Sequence, residues 1–254
     1  RRIGLPTTVT QDLRHFLGGF AMSVTPGRVG ELVRMRWLRR ETGWSFDRTA
    51  PLVLVDRASD LAAVALLLGI AISLAAGAIR GAIPVTLVAL TAAVIATRPA
   101  LLTAVIEATY RLIRRLPRAF ARAHAAARSL DRFSHGPVLA AALGLGLVGW
   151  FAEGAAFHLL LVWMGADIGL AKAIAIFVFS TLAGSLTGAP GGVGGAEAAM
   201  IALLTLDGVP IEASVAATAI IRVTTLWFAV ILGLAVFPLA ERLSLKGAHA
   251  LEND

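Results

Sequence analysis

Two arginines lie inside strongly apolar sequence, and their chemistry organises the rest of the chain. Arg57 follows Pro51–Val55 and precedes the apolar run Leu61–Ala71; Arg222 follows Val215–Ile221 and precedes Trp227–Val236. A guanidinium near a bilayer centre costs roughly 2.5–3.5 kcal/mol on insertion scales, so such residues face a bundle interior or a wet cavity. The group stays charged and presents a two-pronged donor edge that matches phosphate oxygens. Two uses stay open at this point. The arginines can hold a lipid phosphate during its passage across a membrane, or they can lock the bundle as buried ion pairs. The pairs expected in the second case are Arg57 with Asp60, three residues on, and Arg222 with Glu197.

The acids and glycines around them admit matching alternatives. Glu31 and Glu197 each follow a Pro/Gly break, where a carboxylate caps the N–H groups at a helix start. They can equally serve as partners of the arginines or as proton carriers. Asp56 and Asp60 are four apart and share a helix face with Arg57 beside them, which reads as a charge cluster rather than an acid/base pair or metal site. Glu153 is expected to point into a cavity; His158, five residues on, faces another way. Glycines 27, 30, 191, 192, 194 and 195 leave backbone N–H groups open to a headgroup. The run Gly192–Ala196 fails as a dinucleotide loop because no strand precedes it. His15, His124, His135 and His249 form no ligand pattern, cysteine is absent, and no nucleophile triad or Walker loop occurs. No catalytic residue, metal or cofactor is therefore expected, and no energy-coupling ATPase.

One pattern occurs twice. Pro26, Gly27, Val29, Gly30 and Glu31 are followed by Gly43, Asp47 and Arg57; Pro190, Gly191, Val193, Gly194 and Glu197 are followed by Gly208, Glu212 and Arg222. From Gly43 to Arg57 and from Gly208 to Arg222 the register is the same without a gap, and a two-residue shift near the glutamates aligns the rest. Duplicated halves with a broken segment and an intramembrane charge are how many transporters build a central site.

The elements that must position these residues follow from hydropathy. Hydrophobic residues make up 57% of the 254 and charged residues only 15%, which places much of the chain in lipid rather than water. Spanning helices are expected over Ala58–Ala78, Ala82–Thr97, Pro137–Met164, Leu170–Ala189 and Ala213–Ala240, with a tight link at Arg80-Gly81. Phe16–Val24 with its continuation past Pro26, and Val193–Leu206 after Pro190, are too short or too broken to cross. Both read as re-entrant or broken helices facing a cavity, the alternative being surface loops. The expected fold is all-α: one polytopic membrane helical bundle over residues 1–254. Its repeat halves run from about 16 to 97 and from 137 to 240, joined by a basic interfacial segment, 98–136. Four crossings between the two copies would make them parallel, and three inverted.

Arginine placement orients the bundle. Six basic residues in Arg28–Arg48 and eight in Arg98–Arg132 flank a two-span hairpin, so they share a side, and positive loops stay in the cytoplasm. Ile106–Phe133 interleaves arginines with apolar residues at helical spacing, which suits a helix in the headgroup layer of anionic lipid. That topology accounts for the net charge of +7, and nucleic-acid binding is not expected. The chain starts at Arg1 with a polar stretch, so it reads as a fragment or processed form that lacks earlier spans.

At Pro26-Gly27-Arg28-Val29-Gly30-Glu31, at Asp56-Arg57 opening the next helix, and at Pro190-Gly191-Gly192-Val193-Gly194 with Glu197 and Arg222, the chain resembles the lysylphosphatidylglycerol synthase transmembrane-region family, flippase-like integral membrane proteins. The resemblance runs from about Phe16 to Leu239. It implies a multi-pass protein of a bacterial-type inner membrane. In some members this region precedes a soluble domain that transfers an amino acid from tRNA to phosphatidylglycerol, and the membrane part translocates the product. Other relatives stand alone or are fused to glycosyltransferases acting on polyprenyl-linked sugars. Only Glu241–Asp254 follows Ala240 here, too little for an aminoacyl-transfer domain. The expected function is translocation of a phospholipid or lipid-linked headgroup, with an anionic phospholipid or a polyprenyl-linked lipid as ligand. The alternatives are an accessory subunit that recognises a partner transferase through 98–132, or an enzyme of lipid-linked glycan or aminoacyl-lipid synthesis. Self-association is a further open expectation.

Overall fold

The computed structural model describes residues 6–25, 29–75, 82–114, 117–129 and 135–253. Every regular element among them is helical: α1 Val9–Gly19, α2 Val29–Thr42, α3 Phe46–Leu74, α4 Ala82–Thr97, α5 Pro99–Ile113, α6 Pro117–Ser129, α7 Gly136–Trp163, α8 Leu170–Leu186, α9 Gly195–Leu206, α10 Ile211–Arg222 and α11 Phe228–Asn253. Short tight turns occupy Phe20–Met22 and Pro190–Gly192, and a π-helical turn, Val223–Trp227, joins α10 to α11. Among the described residues three helices are long and apolar enough to cross a bilayer, Arg48–Leu74, Gly136–Trp163 and the continuous Ile211–Gly247, or four if the bent pair Ile83–Thr97 and Pro99–Ile113 counts as one span.

The helices stop where local chemistry stops them. Thr8 and Gln11 form a reciprocal capping box that opens α1. Gly43 (φ 71°) and Gly208 (φ 91°) end α2 and α9 in the left-handed region, where a Cβ is penalised. Pro99 turns the chain through 102° between α4 and α5. Arg114 (φ 48°) ends α5, so the expected single basic helix over Ile106–Phe133 is two helices folded back on each other. The Glu107–His124 contact and the stacking of Tyr110 on Phe120 show the antiparallel pairing.

Two further antiparallel hairpins define the architecture. In the first, α1 and α2 cross so closely that a Cβ on Gly30 would meet the Gly19 carbonyl oxygen at 2.6 Å, while Arg14 pairs with Glu41 at the open end. In the second, a Cβ on Gly184 of α8 would meet the Ala196 backbone of α9 at 2.6 Å, and Lys172 Nζ bonds Asp207 Oδ1 at 2.8 Å at the open end. The span expected over Leu170–Ala189 is therefore one arm of a hairpin. It ends at Leu186, and its 17 residues reach about 26 Å, short of a hydrocarbon core of about 30 Å. Its face Ala173–Val178 is buried at the centre of the main core, against Leu68 of α3, Phe157 and Leu161 of α7, Met200 of α9 and Ile221 of α10.

The long helix α10–α11 passes both hairpins. It begins beside the open end of α8–α9 and finishes beside that of α1–α2, where Glu241 takes bonds from Arg36, Trp37 and Arg40. The hairpins thus enter from opposite ends of the bundle, and their tips meet in between. A Cβ on Gly191 would touch Val24 Cγ1 at 3.1 Å and Leu226 Cδ1 at 3.4 Å.

Helix α3 runs parallel to α7, as Val55 packs with Leu139 and Ala63 lies against Gly146. Helix α7 packs on α8, with Gly154 on Ile174 and Phe157 on Phe177. Helix α2 runs parallel to α11, with Trp37 on Phe237 and Glu41 against Gly247, and antiparallel to α3, with Glu31 at Arg57 and Arg34 at Asp56, so the continuous α10–α11 helix runs opposite to α3. Arg57 lies within α3 and Arg222 at the end of α10.

Candidate functional site

Each arginine stands at the same station of its helix. α3 starts at Phe46 and α10 at Ile211, so Arg57 and Arg222 both lie eleven residues beyond the start. The expectation that Asp56-Arg57 opens a helix is corrected: α3 starts earlier because Gly43 and the extended Ser45 already end the turn, and the helix continues through Pro51, its sixth residue. Glu31 and Glu197 are likewise the third residues of α2 and α9.

The arginine and glutamate meet in both places. Arg222 Nε donates to Glu197 Oε1 at 2.6 Å, and a terminal amine donates to the Gly191 carbonyl at 2.9 Å. The second Glu197 oxygen accepts the Gly194 N–H at 2.6 Å. One carboxylate therefore caps its helix and neutralises the arginine, so the two roles expected for it coexist. The positive φ values of Gly191, Gly192 and Gly194 wrap the tip tightly enough to bring the Gly191 carbonyl to Arg222. In the other hairpin Arg57 Nε lies 2.9 Å from Glu31 Oε1 and its amine 3.2 Å from Asp56 Oδ2, which also faces Arg34 at 3.8 Å. The two differ in exposure: the Arg222 side chain is 7% accessible, that of Arg57 38%.

The expected Arg57–Asp60 pair does not form. Trp150 Nε1 of α7 donates to Asp60 Oδ1 at 2.8 Å and draws the acid toward α7, leaving Glu31 to Arg57. Trp150 gave no signal in the sequence beyond an indole inside an apolar span. One turn along α7, Glu153 is exposed and lies within electrostatic reach of both Asp60 and Arg222. His158 lies apart, its Nδ1 buried without a partner. Gly30 is buried at the first hairpin's crossing. Pro26 and Gly27 fall outside the described residues, as do Arg80 and Gly81, so the first tip is placed only by Val24 and Val29 on either side.

Sequence reasoning missed the ionic clamp at the other end of the first hairpin. Glu41, buried with His15 and Arg14, ties α1 to α2, and Glu241 ties α2 to α11. The clue was present as an acid directly after the basic stretch Arg34–Arg40.

The model of the lysylphosphatidylglycerol synthase TM region matches residues 2–233. A UPF0104 membrane protein of Methanothermobacter thermautotrophicus is 30% identical over 101 residues, a stretch that spans 40% of this chain and 30% of that relative. No solved structure matches significantly. With its apolar helices and the extent of that match, the chain is a multi-pass membrane protein and belongs to the lysylphosphatidylglycerol synthase TM region family.

Proposed function

We propose that the protein translocates a lipid headgroup, carried past the point where the two hairpin tips meet. The observation that carries this reading is the contact of Gly191 with Val24 and Leu226, reached from opposite ends of the bundle beside a buried arginine. Non-helical backbone at membrane depth is tolerated where it is buried in protein or lines a cavity, and paired inverted elements meeting mid-bundle are a common carrier plan. The opposed directions of α3 and α10 and the matched Arg–Glu pairs support an inverted duplication.

In this reading Arg222 exchanges a bond to Glu197 or Gly191 for a phosphate oxygen, and Glu153 and Asp60 balance the charge along α3–α7. Arg57, half-exposed, meets the headgroup nearer one surface. The ligand class is a phosphate-bearing lipid, an anionic phospholipid or a polyprenyl-linked one. The arginine-rich face with Arg36, Arg40 and Arg111 lies on the cytoplasmic side of a bacterial-type inner membrane, and the end of α11 lies with it.

The test exploits the absence of cysteine. Val24→Cys with Gly191→Cys places two thiols at the tip contact. In proteoliposomes carrying fluorescent phosphatidylglycerol, the oxidised double variant should stop lipid movement and dithiothreitol should restore it. Arg222→Lys, checked for a monodisperse helical fold, should slow movement at least tenfold. Transport by the cross-linked protein at the reduced rate would overturn the proposal.

A further inference from the structure

We infer that the α5–α6 hairpin is a docking surface for the anionic headgroup layer of the membrane. Helix α4 packs along the spanning helix α3, with Ala89 in its core and Thr86 against Gly69, and α5 leaves α4 at 102°. A helix that departs at that angle from one lying along a span runs close to the membrane plane.

Its surface has the composition such a position requires. No residue of α5 is buried. Leu101, Val105, Ala108 and Leu112 are all exposed and recur at intervals of four, three and four, so they form one apolar stripe on one face. Leu112 is 85% accessible, too exposed for an aliphatic side chain facing water without a partner. Exposed arginines bracket the stripe: Arg98 before it, Arg111 and Arg114 at its far end, with Arg118 on the adjoining start of α6. The acid of α5, Glu107, lies about a third of a turn or more away from this stripe, against His124 of α6, so the charges beside the stripe are basic. An apolar stripe flanked by guanidinium groups fits acyl chains beneath and anionic phosphates around it. The opposite face holds the hairpin in place, through Leu102 beside Val55 of α3, two residues ahead of Arg57, so the surface is continuous with the Arg57 end of the candidate site.

This inference stands independently of translocation. Val105→Cys, otherwise free of cysteine, is labelled with a fluorescent probe in full-length protein reconstituted into phosphatidylcholine vesicles containing spin-labelled lipid. The expected result is strong quenching by spin-labelled lipid and weak quenching by aqueous iodide. Spin-labelled phosphatidylglycerol should quench at least twice as well as spin-labelled phosphatidylcholine, and the difference should vanish in Arg111→Gln/Arg118→Gln and fall in 0.5 M salt in the parent. Quenching mainly by iodide, the outcome for a face reserved for a soluble partner, would overturn the inference. So would equal quenching by the two lipids at low salt in the parent, a measurement that does not depend on the variant's folding.

Discussion

The two arginine–glutamate pairs share a design and differ in their surroundings. Arg222 is buried at the meeting of the hairpin tips and takes a backbone carbonyl besides Glu197; Arg57 is partly open and shares its charge between Glu31 and Asp56, itself facing Arg34, while the two glutamates are similarly accessible. Sequence spacing alone makes them equivalent. Burial makes one a structural keystone whose removal leaves an uncompensated charge, and leaves the other room to exchange partners. Under the proposed translocation, a phosphate is met first by the more accessible Arg57, and Arg222 must give up one of its two bonds to take part.

The sharpest break between them is predicted for the glutamates. Glu197→Ala strands a buried guanidinium and removes the Gly194 cap, and one-sided loss of a buried pair costs about 3–5 kcal/mol. Glu31→Ala leaves Arg57 with Asp56 and with solvent, so its cost should stay below about 1 kcal/mol. Thermal unfolding in detergent should show a far larger drop in Tm for Glu197→Ala; equal drops would end the asymmetry. The next largest effect should not distinguish the halves. Gly30→Ala and Gly184→Ala each push a Cβ to 2.6 Å from backbone across a hairpin crossing, and overpacking of this kind costs about 1–3 kcal/mol. Similar losses of Tm in both would confirm that the crossings are equivalent, and a tolerated Gly184→Ala would separate them.

Much of this was legible in the chain, and the boundary falls in a physical place. Helical class, membrane residence and the two motifs follow from composition and local pattern, because lipid demands long apolar helices and glycine marks positive φ. The pairing of Glu197 with Arg222 was legible because the motif order constrains it. The fate of Asp60 was not, since it depends on Trp150, ninety residues away, and an indole in an apolar span looks like any other lipid-facing ring. The Leu170–Ala189 segment was misread as a span because its composition is that of one. Its length falls short only at Leu186, and burial on all sides mimics immersion in lipid. The start of α3 was missed because charge and Pro51 obscure a helix that is already under way at Phe46.

Smaller effects test whether the equivalence reaches the turns. Gly43 and Gly208 hold φ values of 71° and 91° with nothing within 4 Å of an added Cβ, so substitution costs only the left-handed backbone strain. Gly43→Ala and Gly208→Ala should each lose about 1 kcal/mol, and Asn, which tolerates that region, should restore part of it in both. A difference between the two would mean that one turn is held by contacts the other lacks.

The open ends of the hairpins are expected to differ as well. Glu41 is 4% accessible between Arg14 and His15, whereas Asp207, at 25%, meets Lys172 near the surface. Asp207→Ala should therefore cost under about 0.5 kcal/mol and lose even that in high salt, as exposed pairs do. Glu41→Gln keeps the hydrogen-bonding shape but leaves the Arg14 guanidinium without its counter-charge, so it should loosen α1 from α2 and lower Tm more than Asp207→Ala does. Hydrogen exchange read separately over α1–α2 and α8–α9 resolves this. Faster exchange confined to α1–α2 in Glu41→Gln, with none in α8–α9 for Asp207→Ala, would place the firmer clamp on the hairpin with the more open arginine. That arrangement makes physical sense. A hairpin whose tip pair is half-solvated needs its fixing at the far end, and one whose tip is sealed by Arg222 does not.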